Sequence, residues 1–156
     1  MTRELFPVIV EVVHYLYLGK RYGEDIYMAT VDDLDQALEQ YHLAAAEFIK
    51  GNPEPYKRVF SHREDVTLAN PYGPPVRGWE QVAEALEHTA SRLRDGELIS
   101  LETVAKCVTP ELAYVVSLAR EKAKVGGSDA VTPIALRTTM ILRPEEGTWE
   151  VVHLTS

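Results

Sequence analysis

The chain has 156 residues, enough for one domain, and a domain of that length buries roughly 70% of its unfolded surface. It carries 24 acidic against 16 basic residues, a net charge of −8, which disfavours nucleic acid and anionic membrane surfaces as main partners because both require a cationic face. Cys107 is the only cysteine, so an intramolecular disulfide is excluded; this suits a reducing cytosol, and the residue fits a small apolar strand position.

Residues 1–31 differ in character from the rest and are expected to be an extension to a domain spanning 32–156. Val8 to Val13 is β-branched and suits an extra strand, whereas Val8 to Leu18 also suits a short helix. The apolar run Leu5 to Leu18 is shorter than the roughly 20 residues that span a bilayer and is interrupted by Glu11 and His14. It lacks the pattern of a signal peptide, and a cytoplasmic location is expected. Arg21 to Asp25 reads as a polar loop around Gly23, and Met28 is an alternative start for the core unit.

The spacing of Leu34, Leu38, Tyr41, Ala45, Phe48 and Ile49 predicts a helix over about 33–50, capped by Asp32 and stopped by Gly51-Asn52-Pro53. A short helix is expected over Pro53 to Phe60, then a strand at Val66 to Ala69. Asn70 to Pro75 is too rich in proline for regular structure and reads as a turn. A third helix is predicted from Trp79 to Leu93, closed by Asp95-Gly96. Four strands complete the chain: Leu98 to Val108, Leu112 to Val125, Pro133 to Arg143 and Thr148 to Thr155. Their short connections predict antiparallel neighbours.

Several fragments in this order carry a resemblance: Arg63 to Leu68, Gly73-Pro74, Arg77-Gly78-Trp79, Leu112 to Val116, Leu136 to Thr139, and Gly147 to His153. Together they resemble the NTF2-like superfamily, in particular its SnoaL-like, ketosteroid-isomerase-related branch. The similarity covers about residues 32–156. It implies an α+β, cone-shaped (cystatin-like) fold, in which a curved antiparallel sheet wraps about three helices and encloses a pocket. The superfamily spans isomerases, cyclases, dehydratases, hydrolases and non-catalytic binding or assembly domains, so the fold does not settle the function. Relatives often carry a second histidine where this chain has Thr155, and the tyrosine and paired aspartates of the steroid isomerases are not evident.

The expected pocket lies between the helices and the concave sheet face. Strand alternation groups Tyr114, Val116, Leu118 and Arg120; Arg137, Thr139 and Ile141; and Trp149, Val151, His153 and Thr155. Which set faces inward is open, because a one-residue slip reverses it. Arg137 stands in an otherwise uncharged run. It is either salt-bridged to Glu102 or Glu121, or it anchors a carboxylate or enolate-like ligand. His153 is the candidate acid or base, against a plain hydrogen-bonded strand histidine. Tyr41, Tyr56, Asn70, Tyr72, Trp79, Tyr114, Arg120, Thr139 and Trp149 are the candidate pocket residues. Asp65 is expected to cap backbone amides. His62, Glu64 and Asp65 lack the spacing of a metal site, and no phosphate loop, nucleotide fingerprint or nucleophile elbow is present. The expected function is binding of a small, largely apolar ligand, with cofactor-independent isomerase or lyase chemistry. The alternative is a non-catalytic binding or dimeric assembly module. A homodimer joined through the sheet is expected.

Overall fold

A computed structural model describes residues 20–21, 24–25 and 31–156. The expected strand or helix near Val8, the Leu5 to Leu18 run and the Met28 start lie outside the described residues. Two short strands, β1 (Lys20–Arg21) and β2 (Glu24–Asp25), pair antiparallel where a plain loop was expected.

Helix α1 (Val31–Phe48) buries Leu34, Leu38, Tyr41, Ala44 and Ala45 along one stripe and leaves the acidic positions outside. It starts at Val31, so Asp32 sits in its first turn and not at the N-cap. Gly51, at φ +98°, turns the chain into α2 (Glu54–Lys57), which is shorter than expected and carries buried Tyr56. Next come β3 (Thr67–Ala69), the proline-rich turn, β4 (Val76–Arg77) and α3 (Trp79–Ser91). The long strands are β5 (Leu93–Val108), β6 (Ala113–Val125), β7 (Val131–Glu145) and β8 (Thr148–Thr155).

The larger sheet has the order β4-β3-β8-β7-β6-β5. The expected antiparallel pairing of β5 to β8 is present throughout. Two features were not anticipated: β4, paired antiparallel to β3, and the parallel pairing of β3 with β8.

Strand β5 begins five residues earlier than predicted, and Asp95-Gly96 does not close α3. Leu93 is buried with Ile49 and Ala123, and that burial draws the chain into the sheet directly after the helix. Gly96 then falls at a register shift in β5, pressed against Ile49 just beyond the end of α1. A Cβ there would stand 1.9 Å from the Ile49 carbonyl oxygen, so only glycine fits. Cys107, expected as an apolar strand residue, is exposed on β5.

The helices cover one face of the sheet. The shared core is filled by Leu34, Phe60, Val66, Val82, Leu86, Val115, Met140, Leu142 and Val151, each at most 2% exposed. Apart from Leu86, which reaches the other end, these side chains pack the end of the cone where β6 begins and β7 ends. The opposite end is where β3 and β8 finish and β5 begins, and there the packing opens.

Candidate functional site

The inward row of β6 is Ala113, Val115, Ser117, Ala119, Glu121 and Ala123; that of β7 is Ile134, Leu136, Thr138, Met140 and Leu142. At the open end these small and medium side chains leave a cavity of about 70 Å³ between the sheet and the helices. At roughly 30 Å³ per water in the liquid, that is room for about two waters, which limits an enclosed ligand to one small ring at most. Helix α1 contributes Tyr41, Ala45 and Phe48, α2 contributes Tyr56, and α3 contributes Leu86 and Thr89. Asn70, Pro71 and Tyr72 of the proline-rich turn close its mouth.

Four of the residues expected in the pocket therefore line it: Tyr41, Tyr56, Asn70 and Tyr72. The others lie elsewhere. Tyr114, Arg120, Arg137 and Thr139 occupy the opposite, outward face of the sheet, and Arg137 is exposed. No salt bridge reaches Arg137 among the described residues; Glu121, offered as its partner, points the other way into the cavity. His153 is also outward. The register shift between Ile141 and Leu142 leaves Val152 as an extra residue in β8. Trp149 and Val151 thus face inward, whereas His153 does not, and Leu154 resumes the inward row. Its Nδ1 lies 2.7 Å from the Thr67 hydroxyl of neighbouring β3. Trp149 is core at the packed end. Trp79 lies outside the cavity and stacks on His62, with ring centroids 3.8 Å apart. Asp65 does not serve chiefly as an amide cap. Arg143 donates to both its oxygens, at 2.7 and 3.1 Å, and that hydrogen bonding holds its carboxyl below the usual range.

Glu121 has a larger part than that of a salt-bridge partner. It is the one charged side chain lining the cavity, half-buried, with no hydrogen bond or ion pair to any described residue. Burial pushes its carboxyl above the usual carboxylate range, because a low-dielectric wall disfavours the anion. Its signal in the sequence is a carboxylate on an otherwise uncharged alternation of small residues from Ala113 to Ala123.

Nearby, the hydroxyls of Tyr41 and Tyr56 are 2.6 Å apart. Burial pushes the Tyr41 phenol up to about 12, offset in part by the Tyr56 hydrogen bond and reinforced by the Glu121 charge. Tyr56 is raised well above its ordinary value, first by burial and then by Tyr41. Both phenols therefore stay protonated at neutral pH. One proton is shared between them and the other is uncommitted, since each hydroxyl has one donor and two acceptor sites. The Tyr56 ring is fixed by Phe48 at 4.6 Å and Phe60 at 5.5 Å between centroids. The cavity thus combines a desolvated carboxylate with a rigid hydroxyl donor inside apolar walls.

Among the described residues no group of three or more His, Cys, Asp or Glu side chains is arranged to hold a metal, and no helix is long and apolar enough to cross a membrane.

Residues 34–156 match the family model for the SnoaL-like domain. No curated protein sequence matches the chain. Solved structures do. A ketosteroid isomerase-like protein from Erwinia carotovora atroseptica aligns with a TM-score of 0.67 at 19% identity, over 80% of this chain and 92% of that one. An NTF2-like superfamily protein from Salmonella enterica aligns with a TM-score of 0.67 at 17% identity, over 81% and 91%. A candidate dehydratase of the NTF2-like family from Streptomyces avermitilis gives 0.62 at 16% identity, over 81% and 97%. At such identities the likeness establishes the fold, and the chemistry rests on the cavity itself.

Proposed function

The chain belongs to the SnoaL-like domain family, and from that premise we propose that its cavity binds a small, largely apolar carbonyl compound and moves a proton on it. The supporting observation is the Glu121 carboxylate, which has no hydrogen bond or ion pair to any described residue and faces an apolar cavity beside the Tyr41–Tyr56 hydroxyl pair. A base is most effective when its pKa is raised toward the working pH, and burial does this for Glu121. In the proposed step the ionised carboxylate takes a proton from the carbon next to the carbonyl. The C–H electron pair moves into the C–C bond as the carbonyl oxygen becomes an enolate. The uncommitted tyrosine proton donates a hydrogen bond to that oxygen. In a β,γ-unsaturated substrate, return of the proton from Glu121 to the γ-carbon of the dienolate completes an isomerisation. In a β-hydroxy substrate, the enolate pair forms the C=C bond as the hydroxyl takes the Glu121 proton and leaves as water, which completes a dehydration.

The step can be tested without knowing the natural substrate. Exchange of the α-hydrogens of cyclohexanone in heavy water, followed by NMR, should be accelerated by the protein. Glu121→Gln should lower the enzymatic rate by roughly 10²–10⁴-fold, the usual contribution of a positioned base. Tyr56→Phe should cost roughly 10²-fold, as for one lost oxyanion donor. The rate should rise with pH as Glu121 ionises. Ketone binding with no exchange above background would end the catalytic reading and leave a binding module.

A further inference from the structure

The cavity has a neighbour. On the other side of the Asn70–Pro75 turn, between it and α3, lies a second hollow of about 350 Å³. Leu68, Asn70, Tyr72 and Thr89 line both hollows, so this short stretch of side chains is the wall between them. The wall is pinned by one amide. Asn70 Nδ2 donates to the Thr89 hydroxyl at 3.1 Å, and Asn70 Oδ1 accepts the Tyr72 backbone N–H at 2.9 Å. Thr89 in turn donates to the Ala85 carbonyl of its own helix at 2.9 Å. Among the described residues Tyr72 is hydrogen-bonded only through its backbone; the residue is 37% exposed, and next to it a side chain at Gly73 would meet nothing within 4 Å.

We infer that Tyr72 sets the size of the ligand, its ring dividing one potential pocket into an inner chamber and an outer one. The inference rests on the reading of the cavity as a ligand site. With the ring in place the inner chamber takes a single-ring oxygen compound, placed against the tyrosine hydroxyls. With the ring removed the inner and outer hollows join. The inner hollow, about 70 Å³ by itself, then becomes part of a space within the range of roughly 300–1,000 Å³ used by small-molecule sites. A two-ring ligand then extends past the turn toward Gln81, Glu84 and His88 of α3.

The test is the binding of phenol and 2-naphthol, measured by calorimetry on the whole chain. These probes share one hydroxyl and differ by one ring. Added apolar area normally strengthens binding, so a preference for the smaller probe is itself a sign of a wall. The wild type should bind phenol at least tenfold more tightly than 2-naphthol. Tyr72→Ala should abolish or invert that ratio, and Tyr72→Phe, which keeps the ring, should preserve it. Equal or tighter binding of 2-naphthol by the wild type would overturn the inference, as would an unchanged ratio in Tyr72→Ala. In both cases phenol binding keeps the cavity reading intact. If neither probe binds any variant, the cavity reading falls and this inference with it.

Discussion

The two ends of the cone are built from the same strands and finish differently. At the packed end Phe60, Leu34, Val66, Val115 and Leu142 interlock, each no more than 1% exposed. At the open end the inward row of β6 continues as Ala119, Glu121 and Ala123, and the helices face it with Tyr41 and Tyr56 beside Leu86. There the rim is closed by backbone against backbone, at Gly51 beside Leu93 and Gly96 beside Ile49. The contrast shows how one fold separates stability from function. Side-chain packing at one end holds the sheet in shape, so the other end can tolerate a hollow and a desolvated carboxylate.

Truncation at each end measures that separation. Phe60→Ala should cost about 3–5 kcal/mol in urea unfolding, because its tightly fitted neighbours cannot collapse into the space. Leu136→Ala, on the cavity wall and already half-exposed, should cost only about 1 kcal/mol, since it deepens an existing hollow. Equal losses would erase the distinction between the ends. Between these two falls Gly96→Ala. Its methyl group would strike the Ile49 carbonyl, so the rim must part at about 1–3 kcal/mol, as for other overpacked sites. A melting temperature unchanged from wild type would mean that the rim is loose and glycine is not required.

The sequence exposed the two ends unequally. Helix spacing and strand alternation placed α1, α3 and β6 to β8 within a few residues, because each has one wide apolar face. The strand faces could be grouped but not oriented, and Arg137 and His153 show why. On β7 the row Leu136, Thr138, Met140, Leu142 has three apolar members and no charge, against Arg137, Thr139, Ile141 with one apolar member, a difference that favours the first set as the inward one. On β8 no pattern announces the extra residue at Val152, and that single insertion turns His153 outward. The parallel pairing of β3 with β8 was equally hidden, since it joins residues far apart in the chain. Glu121 was legible as a charge on a row of small residues, although its importance depends on Tyr41 and Tyr56 arriving from the helices.

The subtlest difference between the ends should appear as a pH dependence. Glu121 has its folded-state pKa raised by burial, so the folded chain holds that proton more tightly than the unfolded chain does. Its favourable contribution is therefore complete below the unfolded carboxyl pKa of about 4.3, and is lost as pH rises through the higher folded value. Glu121→Gln keeps the shape and removes the ionisation. The variant and the wild type should have similar stability near pH 4, and the variant should be the more stable at pH 7, by less than any of the packing changes above. A glutamine variant less stable than wild type at neutral pH would mean that the anion has a partner, which would contradict the open-end picture. The expected outcome, a protein made steadier by the change that stops its proton transfer, is a local trade of stability for activity. No core position at the packed end should show that exchange, because Phe60, Leu34, Val66, Val115 and Leu142 carry no ionisable group.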